Sequence, residues 1–181
     1  MIIVEGPDGG GKSTLVQALA KGLNYPVAQR VVDKQTNALV DLQNWVDTNL
    51  MEGFSRTIYD RHRLISEPIY GPLIRPGKNL DFFSPMWLER VMGEFYYIRP
   101  VVIYCIPPRY VVKQNLAGDE DNAVPAPHID AIYDMYLARA CVDMAQSGRM
   151  YVHRYDYTSG ADVDDIANWV GGYTEYRMGS A

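Results

Sequence analysis

Short apolar runs alternate along the chain with stretches in which apolar residues recur every three or four positions. Ile2-Ile3-Val4 reads as a buried strand, and Leu15, Leu19 and Leu23 recur behind it at helical spacing, predicting a helix over about 12–23. Tyr25-Pro26 marks a turn, and 27–32 reads as a second strand with Arg30 inside it. The polar stretch 33–37 offers Thr36 or Asn37 as a cap for a helix whose face is Leu39, Leu42, Trp45, Val46 and Leu50, ending near Gly53. A third strand over 56–60 delivers Asp60-Arg61-His62 to its C-terminal end, where α/β sheets place ligands. The region 66–85 is so rich in proline, glycine and aromatics that no long helix is expected there; it reads as a substrate-facing insertion, about 62–85.

Ser84-Pro85 then opens a helix carrying Trp87, Leu88, Val91, Met92 and Phe95, which stops before Pro100. The continuous apolar run 101–106 is a fourth strand, closed by Pro107-Pro108, and Arg109 to Leu116 predicts a short helix. After the polar stretch 118–122, Ile129, Ile132, Tyr133, Tyr136, Leu137, Ala140, Cys141 and Met144 form the clearest helical stripe in the chain. A fifth strand over 151–155 and a last helix around Val163, Ile166 and Val170 complete the series. Strands alternating with helices predict an α/β fold: a five-stranded parallel sheet with helices on both faces, joined by right-handed crossovers.

The break after the first strand carries the chemistry. Gly6-Pro7-Asp8-Gly9-Gly10-Gly11-Lys12-Ser13-Thr14 fits the phosphate-binding P-loop, and it lies where that motif belongs, between a strand and a helix. Its glycines let successive backbone N–H groups turn toward phosphate oxygens at a helix N-terminus. Gly9, Gly10, Gly11, Lys12, Ser13 and Thr14 are therefore the expected ATP ligands, with Lys12 on the outer phosphates and Ser13 on Mg²⁺.

The 181 residues suffice for one α/β domain with a substantial core, so a single domain is expected. No apolar run approaches the roughly 20 residues that span a membrane, and Met1 leads directly into a core strand, so neither a membrane segment nor a signal peptide is expected. Cys105 and Cys141 read as small core residues instead of a disulfide pair, which fits a reducing, cytoplasmic setting. The net charge of −5 argues against a broad nucleic-acid-binding face. Fourteen tyrosines offer flat faces with polar tips, suited to a nucleobase, a core edge or the face of a homodimer.

Two stretches resemble the thymidylate kinase family of P-loop nucleoside monophosphate kinases, with deoxynucleoside kinases as cousins. One is Val4-Glu5-Gly6-Pro7-Asp8-Gly9-Gly10-Gly11-Lys12-Ser13-Thr14, with its acidic residue inside the loop; the other is Ile58-Tyr59-Asp60-Arg61-His62 followed by Ser66 and Tyr70. The order of elements after them is similar too. The resemblance implies a five-stranded sheet, a mobile lid around 114–127, and contacts from Asp8, Arg30, Ser66 and Tyr70 to the acceptor; Arg30 reads equally as a surface salt-bridge partner, and Arg75 and Lys78 either as phosphate contacts or as solvated loop charges. The chain departs from the pattern in three places: Ser66 follows Asp60 by six residues where five are expected, the helix between strands two and three lacks the family's phosphate-holding arginine, and 114–127 contains no arginine. Arg109 and Lys113, or Arg75 and Lys78, would then supply the charge.

Phosphoryl transfer needs in-line positioning and positive charge around the transferring oxygens. Lys12, Arg61 and Mg²⁺ held by Ser13 and Asp60 meet that need. Asp60 also stands as a proton acceptor if the acceptor is a hydroxyl, or as a plain ion-pair partner of Arg61. Asp8 serves either the acceptor's sugar hydroxyl or the loop itself, and Tyr70 either the base or the core. His62, His128 and His153 lack the spacing of a metal site, and His62 reads as structural. The leading expectation is an ATP- and Mg²⁺-dependent kinase acting on a pyrimidine deoxynucleoside monophosphate such as dTMP. Transfer to a hydroxyl, of a deoxynucleoside or of a hydroxymethylated pyrimidine in phage DNA, is the alternative; only that reading brings in nucleic acid. A nucleotide-binding switch or assembly ATPase is the third reading.

Overall fold

The run Ile2–Glu5 forms the first strand, β1, buried along its whole length, and the sheet extends from it on both sides. The computed structural model describes residues 1–28, 46–47, 49–50, 56–74, 76, 85–117, 126–146 and 148–179. In it β1 pairs in parallel with β2 (Ile58–Asp60) and with β3 (Val101–Cys105), and β3 pairs in parallel with β4 (Tyr151–Tyr155). The order is β2-β1-β3-β4. Register puts Val4 opposite Asp60 and Glu5 opposite Tyr104, so the C-terminal ends of β1, β2 and β3 open on one edge.

Successive strand residues point to opposite faces, and both faces here are apolar, which is why the strands read as continuous hydrophobic runs. Ile3, Tyr59, Val102 and Tyr104 face a core completed by α2 (Arg63–Ile74), α3 (Pro85–Ile98) and α5 (Ile129–Ala145). Ile2, Val4, Ile58, Ile103 and Cys105 face the other, completed by α1 (Lys12–Leu23) and α6 (Val163–Gly179). Helix α4 (Arg109–Ala117) follows Pro107-Pro108, and 3-10 turns occupy Ala126–His128 and Tyr157–Ser159. Fully buried side chains such as Phe95 and Ile103 each stabilise the fold by about 1.5–3 kcal/mol.

The sheet has four strands among the described residues where five were expected. Val27, at the start of the expected second strand, makes an isolated parallel bridge to Ile58. Ala28 N–H donates to the Ile58 carbonyl (2.8 Å), and Ile58 N–H to the Pro26 carbonyl (2.9 Å). The rest of that segment, including Arg30, lies outside the described residues, as do Arg75, Lys78 and 118–125 of the expected lid. Of the following helix, residues 46–47 and 49–50 are helical, with Val46 and Leu50 buried as expected.

Two expectations are corrected. The first part of the region taken as irregular is α2, with Pro68 and Pro72 inside it. Proline removes an amide and crowds the carbonyl four residues back, at about 3 kcal/mol in a helix interior. Both prolines are exposed and lie four apart, and they leave the carbonyls of Leu64 and Pro68 without their helical amide partners. Leu64, Ile65, Ile69 and Tyr70 are buried, and their burial outweighs the local cost. Cys141 is exposed on α5, not part of the core; Cys105 is buried, and burial pushes its thiol up to about 12. Among the described residues no helix is long and apolar enough to cross a membrane.

Candidate functional site

β1 ends at Glu5, and the chain leaves the sheet through Gly6, at φ 141°. A Cβ at Gly6 would lie 2.3 Å from the Cys105 carbonyl oxygen, so only glycine passes beneath β3. Gly10 N–H closes the loop on the Pro7 carbonyl (3.1 Å), and Gly11, at φ 84°, is the N-cap of α1. No side chain caps that terminus, and the first turn holds no acidic residue. Its N–H groups and the positive end of the helix dipole are thus left for an anion. Lys12, 6% exposed, donates from Nζ to the Pro7 carbonyl (2.6 Å), while Ser13 and Thr14 are exposed at the first turn. Burial, with repulsion from Arg61, lowers the Lys12 ammonium to about 8. The six expected ATP ligands therefore share one loop and one helix turn.

From the neighbouring strand end, Arg61 enters the same space. Its backbone is left-handed (φ 67°), and its N–H is held by the Val4 carbonyl (2.9 Å). That conformation turns the guanidinium back over the loop. Nη2 donates to the Gly6 carbonyl (3.3 Å), to Tyr70 Oη (2.7 Å) and to Asp8 Oδ1, and the guanidinium lies 4.6 Å from the centre of the Tyr70 ring. Tyr70 O–H donates to Asp8 Oδ2 (2.9 Å) and accepts from Asp8 N–H (3.2 Å). Burial alone would raise the Asp8 carboxyl, but Arg61 and Lys12 outweigh it and hold the group below its usual range. Burial raises the Tyr70 phenol, so it stays a donor.

Asp60, at the end of β2, is near enough to Lys12 to favour its charged form. A hydroxyl at Ser13 and a carboxylate at Asp60 are hard oxygen donors of the kind Mg²⁺ takes, with substrate phosphates and water completing its shell. Among the described residues no three His, Cys, Asp or Glu side chains gather into a metal cage, as such a shared site does not require. The opposite rim is tied by Asn115, which donates to the Gly9 carbonyl (2.7 Å) and to Tyr157 Oη (2.8 Å).

The site residues expected from sequence divide three ways. Asp8, Lys12, Arg61 and Tyr70 converge directly. Ser66 is buried, and its hydroxyl donates to the His62 carbonyl (3.3 Å) just before α2, outside this set of bonds. Arg109 and Lys113 pair with Asp130, and Arg109 also with Asp134. These cations are matched by acids across α4 and α5.

Sequence reading passed over Glu5 and Tyr136. Glu5 is fully buried; its Oε1 accepts from His62 N–H (2.6 Å) and its Oε2 from Tyr136 O–H (2.9 Å). Burial drives its carboxyl up to about 7 against the opposing pull of the His62 amide, Arg61, Tyr136 and Lys12. One signal was available: an acid ending a strand that is otherwise wholly apolar. His62, read as structural from the sequence, is buried near Tyr59 and Phe95 (centroids 5.7 and 5.4 Å) and kept neutral by burial, which lowers it to about 3.

No protein-family model matches the chain. It is 25% identical over 169 residues to YorR, an uncharacterized SPbeta prophage-derived protein of Bacillus subtilis (strain 168), across 92% of this chain and 94% of that one. An uncharacterized protein of Staphylococcus saprophyticus is 24% identical over 168 residues, 91% of this chain, which spans 59% of that relative's length. Among solved structures, YorR in complex with phosphorylated GDP aligns with a TM-score of 0.70 at 22% identity, over 98% of this chain and 96% of that one. Deoxyadenosine kinase from M. mycoides, with products dCMP and dCDP bound, aligns with a TM-score of 0.56 at 15% identity, over 97% and 98%. These likenesses show the fold, an α/β fold with a parallel sheet flanked by helices as in nucleotide kinases; the solved neighbours are YorR and a deoxynucleoside kinase, and they do not show thymidylate kinase specifically.

Proposed function

We propose that this chain is an ATP- and Mg²⁺-dependent phosphotransferase that phosphorylates a hydroxyl of a deoxynucleoside. The observation that carries the choice of acceptor is Glu5: a buried carboxyl held near 7, between the P-loop and Arg61. A phosphate acceptor is already a nucleophile at neutral pH, whereas a hydroxyl gains from a base whose pKa lies near the working pH. Each Glu5 oxygen accepts one bond from the protein and keeps a second acceptor direction. The acceptor oxygen forms a bond to the γ-phosphorus as its proton passes to Glu5. The bond to the β-phosphate oxygen breaks, and ADP leaves. Lys12, Arg61 and the N-terminus of α1 balance the charge on the transferring group, and Asp8 with Tyr70 offers hydrogen bonds to the acceptor sugar. Ser13 and Asp60 would hold Mg²⁺, which supplies further neutralisation of the phosphates.

A second reading keeps a monophosphate acceptor such as dTMP. It is favoured by the placement of Arg61 beside the loop, where it could bind an acceptor phosphate, and by the phosphorylated nucleotide bound to YorR. Incubation with γ-labelled ATP, Mg²⁺ and a panel of deoxynucleosides, their monophosphates and hydroxymethylated duplex DNA separates the readings. Label is expected in the monophosphate made from a deoxynucleoside. Glu5→Gln should lower kcat by about 10²–10⁴-fold, and Lys12→Ala should abolish transfer. Transfer to monophosphates alone, insensitive to Glu5→Gln, selects the second reading, and label released only as free phosphate refutes both.

A further inference from the structure

Glu5 is reached by Tyr136 of α5, the helix packed on the same face of the sheet as Ile3 and Tyr104, 131 residues later in the chain. Tyr136 is fully buried on α5 and stands between two other tyrosines, edge-on to Tyr70 (6.0 Å, 67°) and to Tyr104 (6.5 Å, 63°). Tyr70 belongs to the Asp8–Arg61 cluster. Tyr104 belongs to the back wall, where its hydroxyl donates to the buried Asp143, which also accepts from Arg139 Nε (2.9 Å).

Two tyrosine bonds thus fasten α5 to β3 and its exit, one on either side of Tyr136 along the helix. Tyr104 O–H meets Asp143, and Tyr133 O–H meets the Pro107 carbonyl (3.0 Å). They fix both the height of Tyr136 over the sheet edge and the direction of its hydroxyl. A carboxylate with one oxygen on the His62 backbone amide would otherwise be free to swing about that bond; the second bond removes the freedom. We propose that Tyr136 is a positioning residue of the transfer site: its hydroxyl orients the Glu5 carboxylate toward the acceptor and sets how readily that carboxylate takes up a proton. The proposal rests on the reading of Glu5 as the base.

The groups facing Glu5 come from every element around it: Arg61 and the His62 amide from the β2–α2 turn, Lys12 from α1, Tyr104 and Cys105 from β3, and Tyr136 from α5. Of these, Tyr136 is the one whose side chain bonds the carboxylate directly. Tyr136→Phe removes the hydroxyl and keeps the ring packed against Tyr70 and Tyr104. Without that donor the charged carboxylate is less favoured, so its proton affinity should rise.

The test has two arms. In the ligand-free protein, the Glu5 carboxyl titration is followed by carbon NMR, assigned as the resonance lost in Glu5→Gln. In Tyr136→Phe it should move up by about one to two pH units, the worth of one hydrogen bond to a charged group. In turnover, the acidic limb of the kcat profile should follow it. That lowers kcat about tenfold at pH 7 and less than about twofold at pH 9.5, with KM for ATP unchanged. A Glu5 titration that stays at its wild-type position overturns the inference, whatever the activity. A titration that moves while Glu5→Gln leaves the acidic limb in place instead overturns Glu5 as the base and keeps Tyr136 as its ligand. If Tyr136→Phe does not fold, Tyr104→Phe, which frees α5 from Asp143, should move the same titration upward by a smaller amount; no movement overturns the inference.

Discussion

Protonation of Glu5 bears on the stability of the fold, apart from the chemistry proposed for it. Its folded carboxyl lies near 7 against an ordinary 4.5, so between those values the folded chain binds a proton that the unfolded chain has released. Stability from this group is full below pH 4.5 and is lost as pH rises through 7. His62 works the other way: lowered from 6.5 to about 3, it makes the fold gain stability as pH rises across that interval, and this masks Glu5 in the wild-type curve. The difference between wild type and Glu5→Gln isolates Glu5, because the amide mimics the protonated acid. Urea unfolding at a series of pH values should show the variant gaining on wild type by on the order of 3 kcal/mol between pH 4.5 and 7. A flat difference curve would mean that Glu5 is ionised throughout. Neither of these buried groups could be weighted from sequence, since the size of each shift comes from desolvation by residues far apart in the chain. The loop between β1 and α1 was legible because its glycines act through local backbone geometry. Arg61 and Asp8 were legible as candidates, but their bond to each other and to Tyr70 depends on a left-handed Arg61 that no residue type announces.

At the scale of elements, apolar periodicity placed β1, α1, α3, β3, α5, β4 and α6 close to where they lie, because each buries a face whose spacing matches its own period. It failed at α2 for a physical reason: proline and glycine weigh against a helix locally, while the burial that favours one is decided by β2, α3 and α5 packing around Leu64, Ile65 and Ile69. It overplaced Cys141 in the core because α5 is apolar on more than its sheet-facing side, with Met135 and Val142 exposed as well. Helix α2 matters to the site because it carries Tyr70. If packing holds it against its prolines, the two faces should respond oppositely to mutation. Pro68→Ala restores an amide on the exposed face and should stabilise the chain by about 1 kcal/mol after the gain in unfolded-state freedom is subtracted. Ile69→Ala, one residue along on the buried face, should destabilise it by about 2–5 kcal/mol. Urea midpoints with unchanged slopes would measure both, and a destabilised Pro68→Ala would show that the helix depends on its prolines.

For the whole molecule, the register of the sheet brings the groups proposed for donor and acceptor together. Parallel strands with crossovers place Glu5, Asp60 and Cys105 at one edge, so the loop after β1 and the turn after β2 face each other without either being near the other in sequence. A chain of net charge −5 repels a nucleoside triphosphate at long range, so under the proposed function the buried cations Lys12 and Arg61 with the open end of α1 would have to overcome this locally. Binding that depends on these groups and on the folded sheet edge is linked to stability. At a ligand concentration about 100 times Kd the gain is about 2.7 kcal/mol. For a chain of this length that corresponds to a rise in Tm of roughly 5–10 °C. Scanning calorimetry with Mg²⁺ and a non-hydrolysable ATP analogue should show that rise in wild type and its near absence in Lys12→Ala, whose Tm without nucleotide serves as the control for folding. An equal rise in both proteins would place nucleotide affinity elsewhere than the P-loop. A rise that requires Lys12 but is accompanied by no transfer to any acceptor would leave the nucleotide-binding switch as the reading of this edge.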